Sequence, residues 1–179
     1  MTISTRTALA LVAFLALGAL PVIGQQAGSA LPGGASTLQE GYEDWQVSCG
    51  TQEAGVHCSM VQNQVDGQSR QRVLAVEIGK VDGDGASGLL LLPFGLALAQ
   101  PVALQIDDGA PLTNLAFRTC LPAGCVVPIA FDGNVLAALR AGGALKIAAT
   151  ADGGNPANFS VSLKGFSKAL DRVAALTRG

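Results

Sequence analysis

The sequence has few of the residues on which catalytic and ligand-binding sites commonly depend. Its 179 residues include one histidine, one tryptophan and one tyrosine, and aromatic residues make up 4% of the chain. Charged residues make up 13%, the formal net charge is −2, and the basic residues form no run. Because nucleic acids and anionic membranes are bound by basic patches, the composition argues against both partners. The shortage of aromatic rings likewise argues against a carbohydrate-stacking cleft.

Recognisable catalytic and metal-binding motifs are also missing. The chain has no Gly-x-Ser-x-Gly elbow and no Cys-x-x-Cys pair. His57 lies two residues before Ser59 on a predicted strand, where the two side chains are poorly placed to form a dyad. Asp82 and Asp84 lie in an Asp-Gly-Asp-Gly loop that lacks the closing glutamate of a calcium-binding EF-hand. The sequence therefore predicts no catalytic residue, no metal ligand and no cofactor.

Residues 1–24 have the composition of a secretory signal peptide. Arg6 is the only early charge, residues 8–20 form an apolar run, and Val22 and Gly24 have the spacing that a signal peptidase accepts. The run is shorter than the roughly 20 residues that span a bilayer, although an uncleaved anchor stays open as an alternative. We expect an exported protein. Residues 25–41 are predicted to be a flexible leader, and residues 42–179 a single domain with no further membrane span.

The domain is predicted to be all-β, because short apolar runs alternate with clusters of Gly, Asp, Asn or Pro. Residues 81–88 are interpreted as a loop, and 89–92 as a strand buried on both faces. A short helix is expected at 134–140, ended by Gly142 and Gly143. Apolar residues at three- and four-residue steps predict a C-terminal helix, which Ser167 would cap. The strands are predicted at 45–49, 57–64, 70–78, 89–92, 102–106, 115–120, 125–130, 145–150 and 159–163.

Four cysteines in an exported chain predict two disulfides. Cys49 and Cys58 flank a glycine-containing loop, and Cys120 and Cys125 flank a Pro-Ala-Gly turn. Each turn can bring its two Cα atoms within disulfide distance, so we predict the local pairings 49–58 and 120–125. Chain entropy favours longer loops, and a bridge from Cys49 to Cys120 would contribute roughly 4.4 kcal/mol. Long-range pairing therefore stays open as the alternative.

Five short motifs, taken in order, point to a known family. They are W-Q-V-S-C (45–49), H-C-S-M-V-Q (57–62), L-P-F-G-L-A-L (92–98), F-R-T-C-L-P-A-G-C (117–125) and G-F-S-K-A-L (165–170). Together they resemble the invasion-associated locus B proteins of bacteria, over nearly all of the chain from about Tyr42. The resemblance implies an exported β-sandwich of roughly immunoglobulin-like build, with disulfides and no known catalytic residues. The family is named for host-cell invasion by pathogenic members, but many relatives come from non-pathogens.

Three hypotheses of function follow from the residues and the resemblance. The first is a non-enzymatic binding or accessory protein of the periplasm or envelope, acting on an unidentified protein partner through a sheet edge or a loop end. The second is a surface-exposed factor that contacts host cells. The third, an envelope hydrolase or thiol-redox enzyme, is disfavoured by the single histidine and by cysteines that suit structural disulfides. The sequence gives no indication of oligomeric state.

Overall fold

The computed structural model describes residues 31–53, 55–68, 70 and 72–177. The predicted signal peptide lies outside these residues. After a 3-10 turn at Pro32–Gly34, the chain forms eleven strands and two helices within the described residues. In chain order these are β1 (Thr37–Tyr42), β2 (Trp45–Gln52), β3 (Gly55–Val65), β4 (Arg72–Asp82), β5 (Gly85–Leu92), β6 (Val102–Ile106), β7 (Leu112–Leu115), β8 (Thr119–Leu121), β9 (Gly124–Phe131), α1 (Gly133–Ala141), β10 (Ala144–Thr150), β11 (Pro156–Ser162) and α2 (Phe166–Thr177).

The strands form two antiparallel sheets around one apolar core. The large sheet has the order β1-β2-β3-β4-β5-β9-β8, and the small sheet has the order β11-β10-β6-β7. Alternate residues of both sheets point inward, as the buried Val47, Leu90 and Ile147 show. The predicted all-β class, with two sheets, a short C-terminal helix and two disulfides, is confirmed.

Helix α2 packs on the inner face of the large sheet, against β2, β3 and β4. Its buried stripe includes Phe166 and Val173, and the Phe166 ring meets the Trp45 ring edge-to-face at 5.3 Å between centroids. Gly165 leads into the helix with φ +82°, and a Cβ there would lie 1.9 Å from the Tyr42 carbonyl oxygen. A residue without a side chain is therefore required where the helix joins the β1–β2 hairpin.

The prediction of a flexible leader over residues 25–41 is wrong for residues 31–41. The Leu31 side chain is buried in the core, and β1 adds residues 37–42 to the large sheet through an antiparallel register with β2. The sequence misled because this segment is rich in Gly, Ser and Ala. Its apolar residues Leu38 and Tyr42 gain burial only from tertiary packing against the core.

Several element boundaries also differ from the predictions. Residues 81–88 are not a loop, because β4 and β5 continue into a tight hairpin that pairs Asp82 with Gly85. The predicted strand at 115–120 is divided between β7 and β8. Helix α1 begins after Asp132, whose carboxylate accepts a bond from the Val135 N–H, and Gly142 ends it in an extended conformation. Ser167 lies inside α2 and donates its hydroxyl to the Arg140 carbonyl, so it does not cap the helix.

Candidate binding surface

The four predicted site residues form two separate disulfides in the large sheet. Cys49 pairs with Cys58 directly across β2 and β3, and Cys120 pairs with Cys125 across β8 and β9. Strands β4 and β5 lie between the two bridges. Both pairings are the local ones predicted from the turns, and the described residues contain no free cysteine. The bridges are too far apart to act as one centre, and each joins neighbouring strands.

His57 and four aspartates lie in structural positions. His57 is exposed on β3, while Asp82 and Asp84 belong to the β4–β5 hairpin. Asp107 accepts bonds from the N–H groups of Gly143 and Ala144, and these bonds hold the pKa of its carboxyl below the ordinary value. Asp108 forms an exposed ion pair with Lys146 at 2.9 Å. No cluster of three metal-binding side chains occurs among the described residues.

Sequence reasoning missed Gln62, whose side chain joins the two sheets. Its amide nitrogen donates to the Ser162 carbonyl at 2.8 Å, and its amide oxygen accepts from the Ser162 N–H at 3.1 Å. The Trp45 indole donates to the same carbonyl at 3.0 Å. Trp45 and Gln62 come from two of the quoted motifs, and their convergence on Ser162 shows that these motif positions are structural. Gln62 is only 7% exposed, so its hydrogen bonds are well shielded from water.

A groove lies at the end of the large sheet where three loops meet. The β3–β4 turn, the segment after β5 and the β8–β9 turn enclose about 700 Å³. We name this region, with the two apolar residues beside it, the loop-end surface. Its members are Val65, Asp66, Arg72, Val73, Pro93, Phe94, Leu121, Pro122, Ala123 and Gly124.

The loop-end surface exposes an unusual amount of apolar side chain. Phe94 is 62% exposed, Val65 56% and Leu121 48%. Of the described residues, only one other large hydrophobic side chain is exposed to this extent, and that is Leu98 in the β5–β6 loop, outside the groove. Single exposed hydrophobic residues are common on proteins, but a cluster around a concavity is typical of an interaction site.

Local chemistry holds the walls of the groove in place. Register pairs Leu121 with Gly124, so the β8–β9 turn is tight, and the Cys120–Cys125 disulfide closes it. Gly124 adopts φ +137°, and a Cβ there would lie 2.6 Å from the Leu92 carbonyl oxygen. In the neighbouring segment, Pro93 follows directly after β5 and cannot donate to a sheet, which favours the end of the strand there. The exposed apolar residues are therefore carried on constrained turns.

Apolar character continues from the groove onto the outer face of the large sheet. Residues 89–92 were predicted to be buried on both faces, but only Leu90 and Leu92 are buried in the core. Leu89 and Leu91 alternate with them and are half-buried on the opposite face, where Ala75 lies beside Leu91 in the register. The outer face is therefore more apolar here than a solvated antiparallel sheet usually is.

The described helices are all too short or too polar to cross a membrane. This holds for the chain from residue 31 to residue 177, apart from the three residues within that range that the structure leaves undescribed.

Comparisons with known proteins agree with the motif resemblance. The sequence profile of the family described as Invasion associated locus B (IalB) protein matches residues 45–174. An invasion protein B homologue of Brucella abortus is 50% identical over 151 residues, covering 84% of this chain and 87% of the relative. Invasion protein B of Bartonella bacilliformis is 44% identical over 152 residues, covering 83% of this chain and 81% of the relative. The crystal structure of invasion associated protein B from Bartonella henselae matches with a TM-score of 0.73 and 43% identity, covering 79% of this chain and 97% of that one.

Proposed function

The chain belongs to the invasion-associated locus B family, and from this membership we propose that it is an exported, non-enzymatic envelope protein that binds a protein partner. The contact is made by the loop-end surface. The observation that carries the proposal is that Phe94 lines the groove while Val65 and Leu121 directly precede its lining residues Asp66 and Pro122, and all three are about half exposed or more. Burial of such side chains in an interface supplies favourable free energy, and aromatic residues are frequent anchors of interfaces.

The described titratable groups support a binding role over an enzymatic one. Catalytic residues usually combine a displaced pKa with a position in a cleft. Here the pKa of Glu40 is lowered by its hydrogen bond to Arg172, and the pKa of Tyr42 is raised by its bond to Glu40. These contacts join β1 to α2, and the residues do not line the loop-end groove. These displaced pKa values therefore have structural causes, as does that of Asp107, which follows from its backbone hydrogen bonds.

A second candidate is a factor exposed on the cell surface that contacts host cells. The printed names of the relatives from Brucella and Bartonella, which describe invasion proteins, favour it. Fractionation with protease treatment of intact cells separates the two candidates. Protection within the periplasm supports an envelope partner, whereas digestion on intact cells or release into the medium supports host contact.

The loop-end surface is tested by a double substitution. Phe94→Ser with Leu121→Ser removes two apolar anchors. Because both positions are exposed, the fold is expected to persist. A strain that carries the double variant is expected to have the phenotype of a strain from which the gene is deleted. Leu98→Ser is the matched control, because Leu98 is 50% exposed but lies outside the groove. Wild-type behaviour of a folded, normally abundant double variant would contradict the proposal.

A further inference from the structure

Strand β1 forms one edge of the large sheet, and its outer side pairs with no other described strand. It is six residues long and follows a continuous register with β2 from Thr37↔Gly50 to Tyr42↔Trp45. Unpaired strand edges favour addition of a further strand, and proteins commonly protect them with proline, lysine or bulges. The sequence T-L-Q-E-G-Y contains neither proline nor lysine, and the register has no bulge.

Backbone hydrogen bonds to β2 alternate along β1, and this alternation shows which N–H and C=O groups face outward. The β1–β2 connection has two residues, so Tyr42 and Trp45 form the hydrogen-bonded pair next to the turn. At the other end of the hairpin, the Thr51 N–H donates to the Ser36 carbonyl, which agrees with even-numbered residues bonding to β2. The N–H and C=O groups of Thr37, Gln39 and Gly41 therefore point away from the sheet.

The other sheet edges are protected. On β11, the Ser162 backbone is occupied by Gln62 and Trp45, and the Ser160 carbonyl accepts from Gln64. Strand β8 has three residues and ends at a disulfide-bonded turn. Strand β7 has four residues and contains Asn114 at φ +67°, which interrupts its extended edge. Strand β11 is one residue longer than β1 but carries these side-chain bonds. Strand β1 is thus the longest edge among the described strands that has none of these protections.

We propose that β1 pairs antiparallel with β1 of a second copy of this chain, with the two-fold axis at Gln39. In this register Gln39 faces its own copy, and Thr37 faces Gly41 of the other chain. All three outward residues of each strand then form hydrogen-bonded pairs, so the edge is self-complementary, as a two-fold interface requires.

This register places no two like-charged side chains directly opposite each other. On the outer face, two Gln39 amides meet, and each can donate to the other. On the inner face, Leu38 lies opposite Glu40 of the second copy, so two carboxylates do not face each other. Glu40 is already held by Arg172 at 2.7 Å and by the Tyr42 hydroxyl at 2.7 Å. Its charge is balanced within one chain, which lowers the repulsion across the axis.

Removal of one backbone donor tests the pairing. Gln39→Pro deletes the N–H at the centre of the interface, at an edge position whose N–H makes no bond within the chain. Gln39→Ala is the matched control, since it keeps the N–H and changes only the side chain. By analytical ultracentrifugation over a concentration series, we expect the wild type and Q39A to reach twice the monomer mass, and Q39P to stay at the monomer mass. Circular dichroism and thermal unfolding check that Q39P is folded.

The register is tested by oxidative cross-linking. Gln39→Cys places two thiols opposite each other at the axis and should yield a disulfide-linked dimer, whereas Thr37→Cys, which faces position 41, should not. A wild type that stays monomeric at every concentration overturns the proposal. This also holds if hydrogen exchange finds the β1 amides protected in the monomer, because the chain's own N-terminal residues would then cover the edge. A dimer that Q39P leaves unchanged, or that cross-links equally from positions 37 and 39, overturns it as well.

Discussion

At the scale of single residues, the Ser162 carbonyl is where the two sheets are joined by side chains. It accepts from the Trp45 indole and from the Gln62 amide, and Gln62 also accepts from the Ser162 N–H. Nothing in the sequence signals this role, because a glutamine at an inward strand position is indistinguishable from a misplaced surface residue until its partner, 100 residues away, is known. Trp45 could be identified as a core residue, but its hydrogen bond could not.

Gln62→Ala should lower the free energy of unfolding by about 1–3 kcal/mol, because the part-buried Ser162 N–H loses its acceptor and one donor to the carbonyl disappears. Gln46→Ala is the control, since Gln46 is exposed on β2, and should change stability by less than about 0.5 kcal/mol. Urea unfolding followed by Trp45 fluorescence measures both variants. Equal stability of the two would contradict the role given to Gln62.

Asp107→Asn should lower the unfolding temperature at neutral pH, and the difference from the wild type should shrink in acid. The two N–H donors hold the Asp107 pKa below its ordinary value of 3.8, so the folded state binds the proton more weakly than the unfolded state. The stabilisation is therefore fully present above pH 3.8 and is lost as pH falls through the lower, folded pKa. Asparagine tolerates the positive φ of +47° at this position, so the substitution keeps the backbone and removes the charge together with one acceptor oxygen. A difference from wild type that stays constant from pH 7 to pH 2 would contradict this mechanism.

At the scale of elements, strands and helices with a clear apolar period were predictable. Strand β6 and the C-terminal helix agree with their patterns, because the period directly reports the buried face. The β1 edge and the β4–β5 hairpin were missed. Gly and Asp dominate the hairpin, and β1 follows a segment rich in Gly, Ser and Ala and has only two large apolar residues, Leu38 and Tyr42. In both cases only pairing with neighbouring strands makes the segment a strand. The outward-facing Leu89 and Leu91 were missed for the opposite reason. A continuous leucine run is typical of full burial, and only the register shows that one side faces outward.

The two disulfides should contribute unequally to stability. By loop entropy, the nine-residue separation of Cys49 and Cys58 corresponds to about 2.7 kcal/mol, and the five-residue separation of Cys120 and Cys125 to about 2.2 kcal/mol. We expect C49S/C58S to lose about 2.7 kcal/mol of unfolding free energy and C120S/C125S about 2.2 kcal/mol, as measured by urea unfolding. We also expect only C120S/C125S to impair the loop-end surface. Loss of binding in C49S/C58S alone would contradict that division.

At the scale of the whole molecule, the residues that hold the two sheets together are separate from the exposed apolar residues. The core, α2 and the Trp45–Gln62–Ser162 contacts hold the sheets together, while the loop-end surface presents apolar side chains on constrained turns. Two motifs that the sequence offered only as family markers, L-P-F-G-L-A-L and F-R-T-C-L-P-A-G-C, line neighbouring parts of one groove. Their meeting could not be predicted, because it depends on β9 pairing with β5 and β8 with β9.

Site-specific photo-crosslinking in the producing bacterium tests the binding role most directly. A photoreactive amino acid is placed at position 94, 121 or 98, and the adducts are resolved by mass. The account predicts a discrete adduct from positions 94 and 121, of a mass other than twice that of the chain, and none from position 98. Equal labelling from position 98, or no adduct from positions 94 and 121 in a folded, normally located protein, would contradict it.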